Sequence, residues 1–290
     1  MKQFDYFSPQ NIAEANKLLA ELRDVRILAG GTDLVIHLME GKAAPANIVD
    51  LSRLDELKEI KITDTEIIIG AMATFTQVIE HPILRAELCS LVEACTTVGS
   101  PQIRNQGTIG GNIVNASPAA DSVPSLVAFG AEVSLISPQG NSKKKITDIL
   151  VGVGKTNMQA NELLTYIHIP RVKARRVSSF SKLARRNALA IARMSMAAAI
   201  KVNPANEVLE AGISLGAVAP NPFRVVQVED YLIGKNLNLE VTETAIKMIA
   251  DIVREKLGSR ASAIYKNEAV NGVARDTFNK LVHKLEGGQN

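Results

Sequence analysis

Two glycine runs constrain this chain more than any other feature: Ala29-Gly30-Gly31-Thr32-Asp33 and Thr108-Ile109-Gly110-Gly111-Asn112. Each sits where an apolar, strand-like segment gives way to a turn, so each offers bare backbone N–H groups and small hydroxyls to an anion. Two such turns suit a diphosphate. Around the first, Val25–Ala29 is a short β-prone run, the glycines permit positive φ and close approach, and Thr32-Asp33 has the chemistry to cap a helix beginning at Leu34. That helix would aim the positive end of its dipole at whatever the glycines cradle. Paired glycines also mark ordinary turns, so either run alone would carry little weight.

The second run lies within Gly99–Pro124, a stretch crowded with Gly, Asn, Ser and Pro that reads as one long ordered loop. Long ordered loops in compact domains tend to be functional, and Ile103, Ile109, Ile113 and Val114 argue against disorder here.

Composition narrows the function classes. With 290 residues, 46% hydrophobic and 22% charged, the chain can bury a substantial core in two domains. Its net charge is only +3, and basic residues are dispersed apart from Lys143-Lys144-Lys145 and the arginine pairs, so a nucleic-acid role has no footprint. The opening MKQFDYFSPQ has no apolar core of the secretory kind, and no run approaches 18 uninterrupted apolar residues; a cytoplasmic protein without membrane spans is expected. Cys89 and Cys95 read as buried thiols on a helix spanning Leu88–Thr97, and two cysteines cannot hold an iron–sulfur cluster through four thiolates. The histidines at 37, 81, 168 and 283 show no ligand spacing, so no metal site is expected.

Several tempting motifs fail. Gly154-Lys155-Thr156 ends like a phosphate-binding P-loop, but that motif needs glycine where Ile149 stands. The GxGxxG dinucleotide turn is absent, and no GxSxG, Cys/His pair or carboxylate dyad stands out.

Periodicity gives a mixed order of elements. A helix starts at Ser8-Pro9, with Ile12, Ala15, Leu18, Leu19 and Leu22 at helical spacing, and Ile48–Leu51 is a strand. Glu59–Ile62 and Glu66–Gly70 read as a hairpin; Phe75–Glu80, Leu84–Thr97 and Asp121–Phe129 as helices; Ala131–Ser137 and Leu163–Ile169 as strands. The basic segment Arg171–Val177 is the linker candidate. Beyond it Ser179–Leu183, Ile191–Val202 and Ala211–Ala219 read as strands, with turn signals at Asn187 and Asn203-Pro204, then helices over Val225–Leu232, Val241–Leu257 and Ser262–Leu285. Strands followed by helices imply an α+β domain.

Five segments in order then carry a resemblance: LAGGTDL at Leu28–Leu34, GSPQIRNQGTIGGNIVNASPAADSVPSL at Gly99–Leu126, GVGKT at Gly152–Thr156, NELLTYIHIP at Asn161–Pro170 and FSKLARR at Phe180–Arg186. Together they resemble the FAD-binding medium subunit of the xanthine dehydrogenase and aerobic carbon monoxide dehydrogenase family, over nearly the whole chain. The resemblance implies an α+β fold: an FAD-binding domain of the vanillyl-alcohol oxidase (PCMH) type over residues 1–175, with subdomains of about 1–55 and 56–175. A C-terminal domain over 176–290 follows, with a three-stranded antiparallel sheet and helices. FAD would lie between the subdomains.

Site residues follow from the same resemblance. Ile27, Leu28, Ala29, Gly30, Gly31, Thr32, Asp33 and Leu34, with Gly107, Thr108, Ile109, Gly110, Gly111 and Asn112, match segments that wrap the FAD pyrophosphate. Asp121 matches an aspartate on ribityl or ribose hydroxyls, though by propensity alone it looks like a helix N-cap. Leu163 and Leu164 match positions flanking the isoalloxazine or adenine and otherwise look like core strand residues. Lys182 matches a lysine near the pyrimidine edge of the flavin, and otherwise looks like a solvated strand lysine. Arg185 and Arg186 suit interdomain or subunit salt bridges. Val98 stands where animal members stack a phenylalanine on the flavin, and the four-cysteine insertion of some relatives is missing.

The implied role is electron transfer through FAD inside a complex. A small subunit with two [2Fe-2S] clusters would deliver electrons, a large molybdopterin subunit would oxidise substrate, and NAD+ or another acceptor would take the electrons away. A dimer of heterotrimers is the implied assembly. The alternatives are a self-contained FAD oxidoreductase, for which the chain offers no clear acid or base, and a flavin-free scaffold, which predicts broken glycine turns.

Overall fold

Parallel strands need crossover connections, and the first fifty residues supply them by alternating short β-prone and helical runs. In the computed structural model, which describes residues 3–186 and 189–287, these are β1 (Asp5–Phe7), α1 (Ile12–Glu21), β2 (Val25–Leu28), α2 (Leu34–Met39) and β3 (Asn47–Asp50). They form a parallel sheet in the order β1-β3-β2 over a core of Ala15, Leu19, Val49, Leu51, Leu57 and Leu163. The first helix starts later than Ser8-Pro9, because the Asn11 side chain caps it by accepting from the Glu14 amide. The sheet order leaves β2 on an edge, with the first glycine turn at its end.

The next segment holds β4 (Ile60–Ile62), β5 (Glu66–Gly70), α3 (Phe75–Glu80), α4 (Pro82–Glu87), α5 (Cys89–Thr96), α6 (Pro101–Gln106), α7 (Ile109–Val114) and α8 (Ser122–Ala128). After them come β6 (Glu132–Ser137), β7 (Gly140–Lys145), α9 (Ile146–Ile149), β8 (Leu150–Gly152), β9 (Lys155–Thr156) and β10 (Leu163–Pro170). The second sheet is antiparallel in the order β4-β5-β10-β6-β7.

Three expectations change here. The helix read continuously over Leu84–Thr97 breaks at Leu88, which leaves helical geometry at φ −125° and ψ 46° and is fully buried. The stretch read as a loop carries two short helices, since Pro101 opens α6 and the Ser100 and Thr108 hydroxyls accept from the Ile103 and Gly111 amides. Of the two cysteines only Cys95 is buried; Cys89 begins α5 half-exposed and donates from Sγ to the Arg85 carbonyl.

The third sheet runs β11 (Arg176–Leu183), β12 (Met194–Val202), β13 (Val208–Gly216), β14 (Phe223–Arg224), all antiparallel. Three long strands are joined by a two-residue fourth at the edge. The linker read over Arg171–Val177 runs into β11 from Arg176, and Arg171 is fastened to Glu87, Nη2 to Oε1 at 2.7 Å. Asn203-Pro204 lies in the β12–β13 connection as expected, whereas Asn187 lies outside the described residues. The helices α10 (Val226–Leu232), α11 (Leu239–Leu257) and α12 (Ala263–Leu285) follow.

Strand alternation assigns the two faces of this sheet. Met194, Met196, Ala198, Ile200 and Val202 meet Ile246, Ile249, Val253, Phe278 and Leu281 of the C-terminal helices. Phe180, Ala197 and Ala199 face the other way, into the core that holds Leu91, Ala94 and Cys95 of α5 and Leu126 of α8. Two glycines let α8 lie this close. A Cβ on Gly212 would come 2.0 Å from the Ala128 carbonyl oxygen, and one on Gly216 would come 2.7 Å from Pro124 Cγ. Among the described residues, no helix is long and apolar enough to cross a membrane.

Candidate functional site

The first glycine turn leaves β2 at the open end of the parallel sheet. Gly31 adopts φ +73°, which favours glycine, and its carbonyl accepts from the Val35 amide at 3.0 Å to start α2. The amides of Gly30, Gly31, Thr32, Asp33 and Leu34 have no acceptor among the described residues. A succession of undirected backbone N–H groups is an anion nest. Asp33 makes no side-chain cap on α2, so the capping role expected of it is not realised and those amides stay open.

The second run does something different from the first. Gly107 donates to Ile103, Ile109 to Ala73, Gly110 to Ala71 and Asn112 to Thr108, all through backbone carbonyls, while Gly111 donates to Thr108 Oγ1 at 3.1 Å. The expectation of bare amides in both turns therefore holds for the first and fails for the second, where, among the described residues, only the Thr108 amide lacks an acceptor. Its glycines serve close approach instead. A Cβ on Gly110 would lie 2.7 Å from the Ala71 carbonyl oxygen.

Glycine also brings the turns together. A Cβ on Gly30 would lie 1.9 Å from the Gln106 carbonyl oxygen and 3.0 Å from Gly107 Cα, so only glycine lets the first turn rest on the second segment. A Cβ on Gly111 would point toward Ala29, 3.9 Å from its Cβ. From there Asn112 leads onward, because Ser122 donates from Oγ to Asn112 Oδ1 at 2.7 Å.

Next to Ser122 stands Asp121, whose Oδ2 receives Lys182 Nζ at 2.5 Å. Both side chains are buried, 7% and 9% exposed. Strand parity explains the meeting: Lys182 pairs with Ser195 and shares a sheet face with Phe180, the face on which α8 is seated. The solvated strand lysine is thus a buried ion-pair partner, and it also donates to the Thr97 carbonyl at 3.2 Å. Asp121 does not cap α8 with its side chain. Its Oδ1 is buried and has no hydrogen-bond partner among the described residues. Burial raises the Asp121 carboxyl above its ordinary value while Lys182 opposes the rise. Burial, and then the Asp121 charge, pushes the nearby Cys95 thiol far up, so it stays protonated.

The loop before Asp121 is held from two sides. Gly154 of the β8–β9 hairpin donates to Ala116 at 2.9 Å, and Ala217 donates to Pro118 at 2.9 Å. The GVGKT segment thus braces this loop.

Leu163 and Leu164 open β10 with both side chains in cores, Leu163 beside Val49 and Leu51, Leu164 with Ile167 and Leu135. What they can offer a ligand is backbone. Val98 packs half-buried against the central core, and Arg104 Nη1 donates to the Val98 and Gly99 carbonyls at 3.0 and 3.3 Å. Arg186 donates locally to the Leu189 carbonyl. Sequence reasoning missed Thr97, Ser122, Gly212 and Gly216. The two strand glycines had a signal, since their separation of four places both on one face.

Comparison with known proteins gives concordant findings. Residues 2–172 match the family described as FAD binding domain in molybdopterin dehydrogenase, and residues 178–281 match the CO dehydrogenase flavoprotein C-terminal domain. The chain is 38% identical to the nicotinate dehydrogenase FAD-subunit of Eubacterium barkeri, covering 100% of both chains. It is 31% identical to the xanthine dehydrogenase FAD-binding subunit of Escherichia coli O157:H7, over 97% of each. Among solved structures, carbon monoxide dehydrogenase from Hydrogenophaga pseudoflava, lacking the Mo-pyranopterin moiety, superposes with a TM-score of 0.88 at 29% identity, over 96% of this chain and 97% of that one.

Proposed function

The chain belongs to the molybdenum hydroxylase family as its FAD-binding medium subunit, and from that footing we propose that it carries electrons from the [2Fe-2S] clusters of a small subunit through FAD to NAD+ or another acceptor. The observation that carries the site assignment is the conjunction, among the described residues, of two unmet needs: buried Asp121 Oδ1 without a donor, and a row of amides from Gly30 to Leu34 without an acceptor. A dinucleotide with hydroxyls and a pyrophosphate meets both. Bound FAD supplies chemistry that joins one-electron delivery to two-electron release.

The residues of the chain do the holding and tuning. The Gly30–Leu34 amides receive the pyrophosphate, with Ile27, Leu28 and Ala29 shaping the approach and Thr32 adding a hydroxyl. Gly107, Thr108, Ile109, Gly110, Gly111 and Asn112 form the wall behind it. Asp121 accepts from a ribityl or ribose hydroxyl through Oδ1, and Lys182 places a cation beside the flavin ring, favouring its reduced, anionic form. Leu163 and Leu164 contribute backbone at the ring.

We assign residues 1–175 to the FAD-binding domain, with subdomains of about 1–55 and 56–175, and residues 176–290 to the C-terminal domain. The meeting of the two family matches between residues 172 and 178 supports this division. The working assembly is a dimer of heterotrimers with the small iron–sulfur and large molybdopterin subunits. Unpaired Cys89 and Cys95 suit the reducing cytoplasm. Anaerobic mixing of the FAD-loaded complex with NADH tests the acceptor: bleaching of the flavin absorption supports NAD+, and an unchanged spectrum alongside reduction by substrate points to another acceptor.

A further inference from the structure

Like charges directly opposite each other on paired strands destabilise a sheet. In the third sheet Arg176 pairs with Lys201 across β11 and β12, and Lys201 turns to Glu210, Nζ to Oε1 at 2.7 Å. Arg176 shares a sheet face with Phe180, so its guanidinium is carried inward, over the Phe129 ring at 4.8 Å. There Nη1 donates to the Pro170 carbonyl at 2.9 Å, while buried Nε and also Nη2 have no hydrogen-bond partner among the described residues. Burial lowers the Arg176 pKa from its ordinary value, and Glu87 and Glu210 offset this only in part. Both carboxylates are engaged elsewhere, Glu210 by Lys201 and Glu87 by Arg171, whose Nε reaches Oε2 at 2.9 Å and whose Nη2 reaches Oε1 at 2.7 Å.

Beside this guanidinium lies a cavity of about 460 Å³ where the chain passes from β10 to β11, lined also by Arg171, Lys173, Glu87 and Asp64. With Glu87 matched to Arg171, the remaining charges are Arg176 and Lys173 against the solvated carboxylate of exposed Asp64. Lys173 has no partner among the described residues. A desolvated cation without a counter-ion is costly, and the planar fork of a guanidinium matches an oxyanion. Arg176 stands six residues along β11 from Lys182, roughly 20 Å away. The cavity shares no residue with either glycine turn.

We propose that this cavity binds a phosphate-class oxyanion, as the free ion or as the monoester group of a metabolite, held by Arg176 and Lys173 with Arg171 fixed beside them by Glu87. The anion supplies the charge that Arg176 lacks and ties the segment after β10 to the first strand of the third sheet. This site stands apart from the flavin site and does not depend on the electron-transfer role.

The test is thermal unfolding and titration calorimetry of the FAD-loaded chain in sodium phosphate, against sodium chloride at equal ionic strength. Saturating phosphate is expected to raise Tm by at least about 3 °C. Glycerol 3-phosphate tells the source: binding tighter than phosphate supports the site with a monoester as ligand, and equal or weaker binding supports it with the free ion. Arg176→Met keeps an apolar stem over Phe129 and should weaken phosphate by at least about tenfold, and Lys173→Ala, at an exposed position, by about threefold. Retained FAD shows that the flavin site is undisturbed in each. A phosphate response no larger than that to chloride overturns the proposal, as does succinate binding more tightly than either phosphate, or unchanged phosphate affinity in Arg176→Met. So does a response confined to the flavin-free chain, which would put the anion on the Gly30–Leu34 amides. If Arg176→Met fails to fold, Lys173→Ala decides, and unchanged affinity there overturns the proposal.

Discussion

The Lys182 ammonium lies 2.5 Å from Asp121 Oδ2 across the seam between α8 and the third sheet. Breaking a buried pair leaves the survivor uncompensated at a cost of about 3–5 kcal/mol, whereas replacing both partners with apolar groups is often neutral. Asp121→Asn is therefore expected to lower unfolding free energy by about that amount, and the double variant D121L/K182M to recover most of it. Flavin binding separates the two roles, because both variants should lose FAD retention. Denaturant unfolding paired with flavin absorbance checks this. A double variant that is stable and still flavin-loaded would remove the pair from the site.

Gly30 and Gly111 should behave differently. Alanine at Gly30 puts a carbon 1.9 Å from a backbone oxygen, which cannot yield without moving the turn, so Gly30→Ala should cost about 3 kcal/mol or more and release FAD. The nearest obstacle at Gly111 is the Thr108 hydroxyl at 2.8 Å, a side-chain atom able to rotate. Gly111→Val should keep the fold largely formed yet abolish FAD retention. Thermal melts and desalted spectra of the two variants discriminate them, and a Gly111→Val chain with full flavin would move the cofactor elsewhere.

Gly212→Val tests the seating of α8. Its Cβ would meet the Ala128 carbonyl oxygen at 2.0 Å, so the helix must lift from β13 and carry Asp121 away from Lys182. Stability should fall by roughly 3 kcal/mol or more. A variant melting like the parent would show that the close approach does not position the site.

The outer face of the second sheet gives a pH signature. Glu66 bonds Lys143 Nζ at 2.8 Å and contacts His168 Nδ1 at 3.2 Å, and these partners, Lys143 first, hold its carboxyl below its ordinary 4.5. A carboxyl depressed in the folded state stabilises fully above its unfolded pKa and loses that contribution as pH falls through the folded one. Glu66→Gln should thus be less stable at neutral pH, by under about 1 kcal/mol because the site is a third exposed, with the difference closing under acid. A gap that widens in acid would reverse the sign.

Much of the site was legible because its signals are local. Gly30, Gly31 and Thr108 announce turns by residue type, and the strand read over Ser179–Leu183 already carries Lys182. Its burial was not legible, because that depends on α8 arriving from 61 residues away, through glycines at 212 and 216 in a different strand. Amide availability was equally hidden. Both glycine runs look alike in sequence, yet Ala71, Ala73 and Thr108 occupy amides of one, and among the described residues nothing occupies those of the other. α6 and α7 were obscured by their composition, since Ser and Thr caps look like loop residues until the hydroxyls are seen accepting from amides. β7 escaped because an edge strand reading Gly-Asn-Ser-Lys-Lys-Lys has no apolar alternation, its lysines pairing with Glu66, Glu132 and Glu162.

The most direct measurement is the visible absorption spectrum of the purified chain after incubation with FAD and desalting, with the released cofactor identified by chromatography. The account predicts about one FAD per chain, in the isolated subunit or in the complex co-expressed with its iron–sulfur and molybdopterin partners. No flavin in either preparation would contradict the account and leave the intact glycine turns as scaffold.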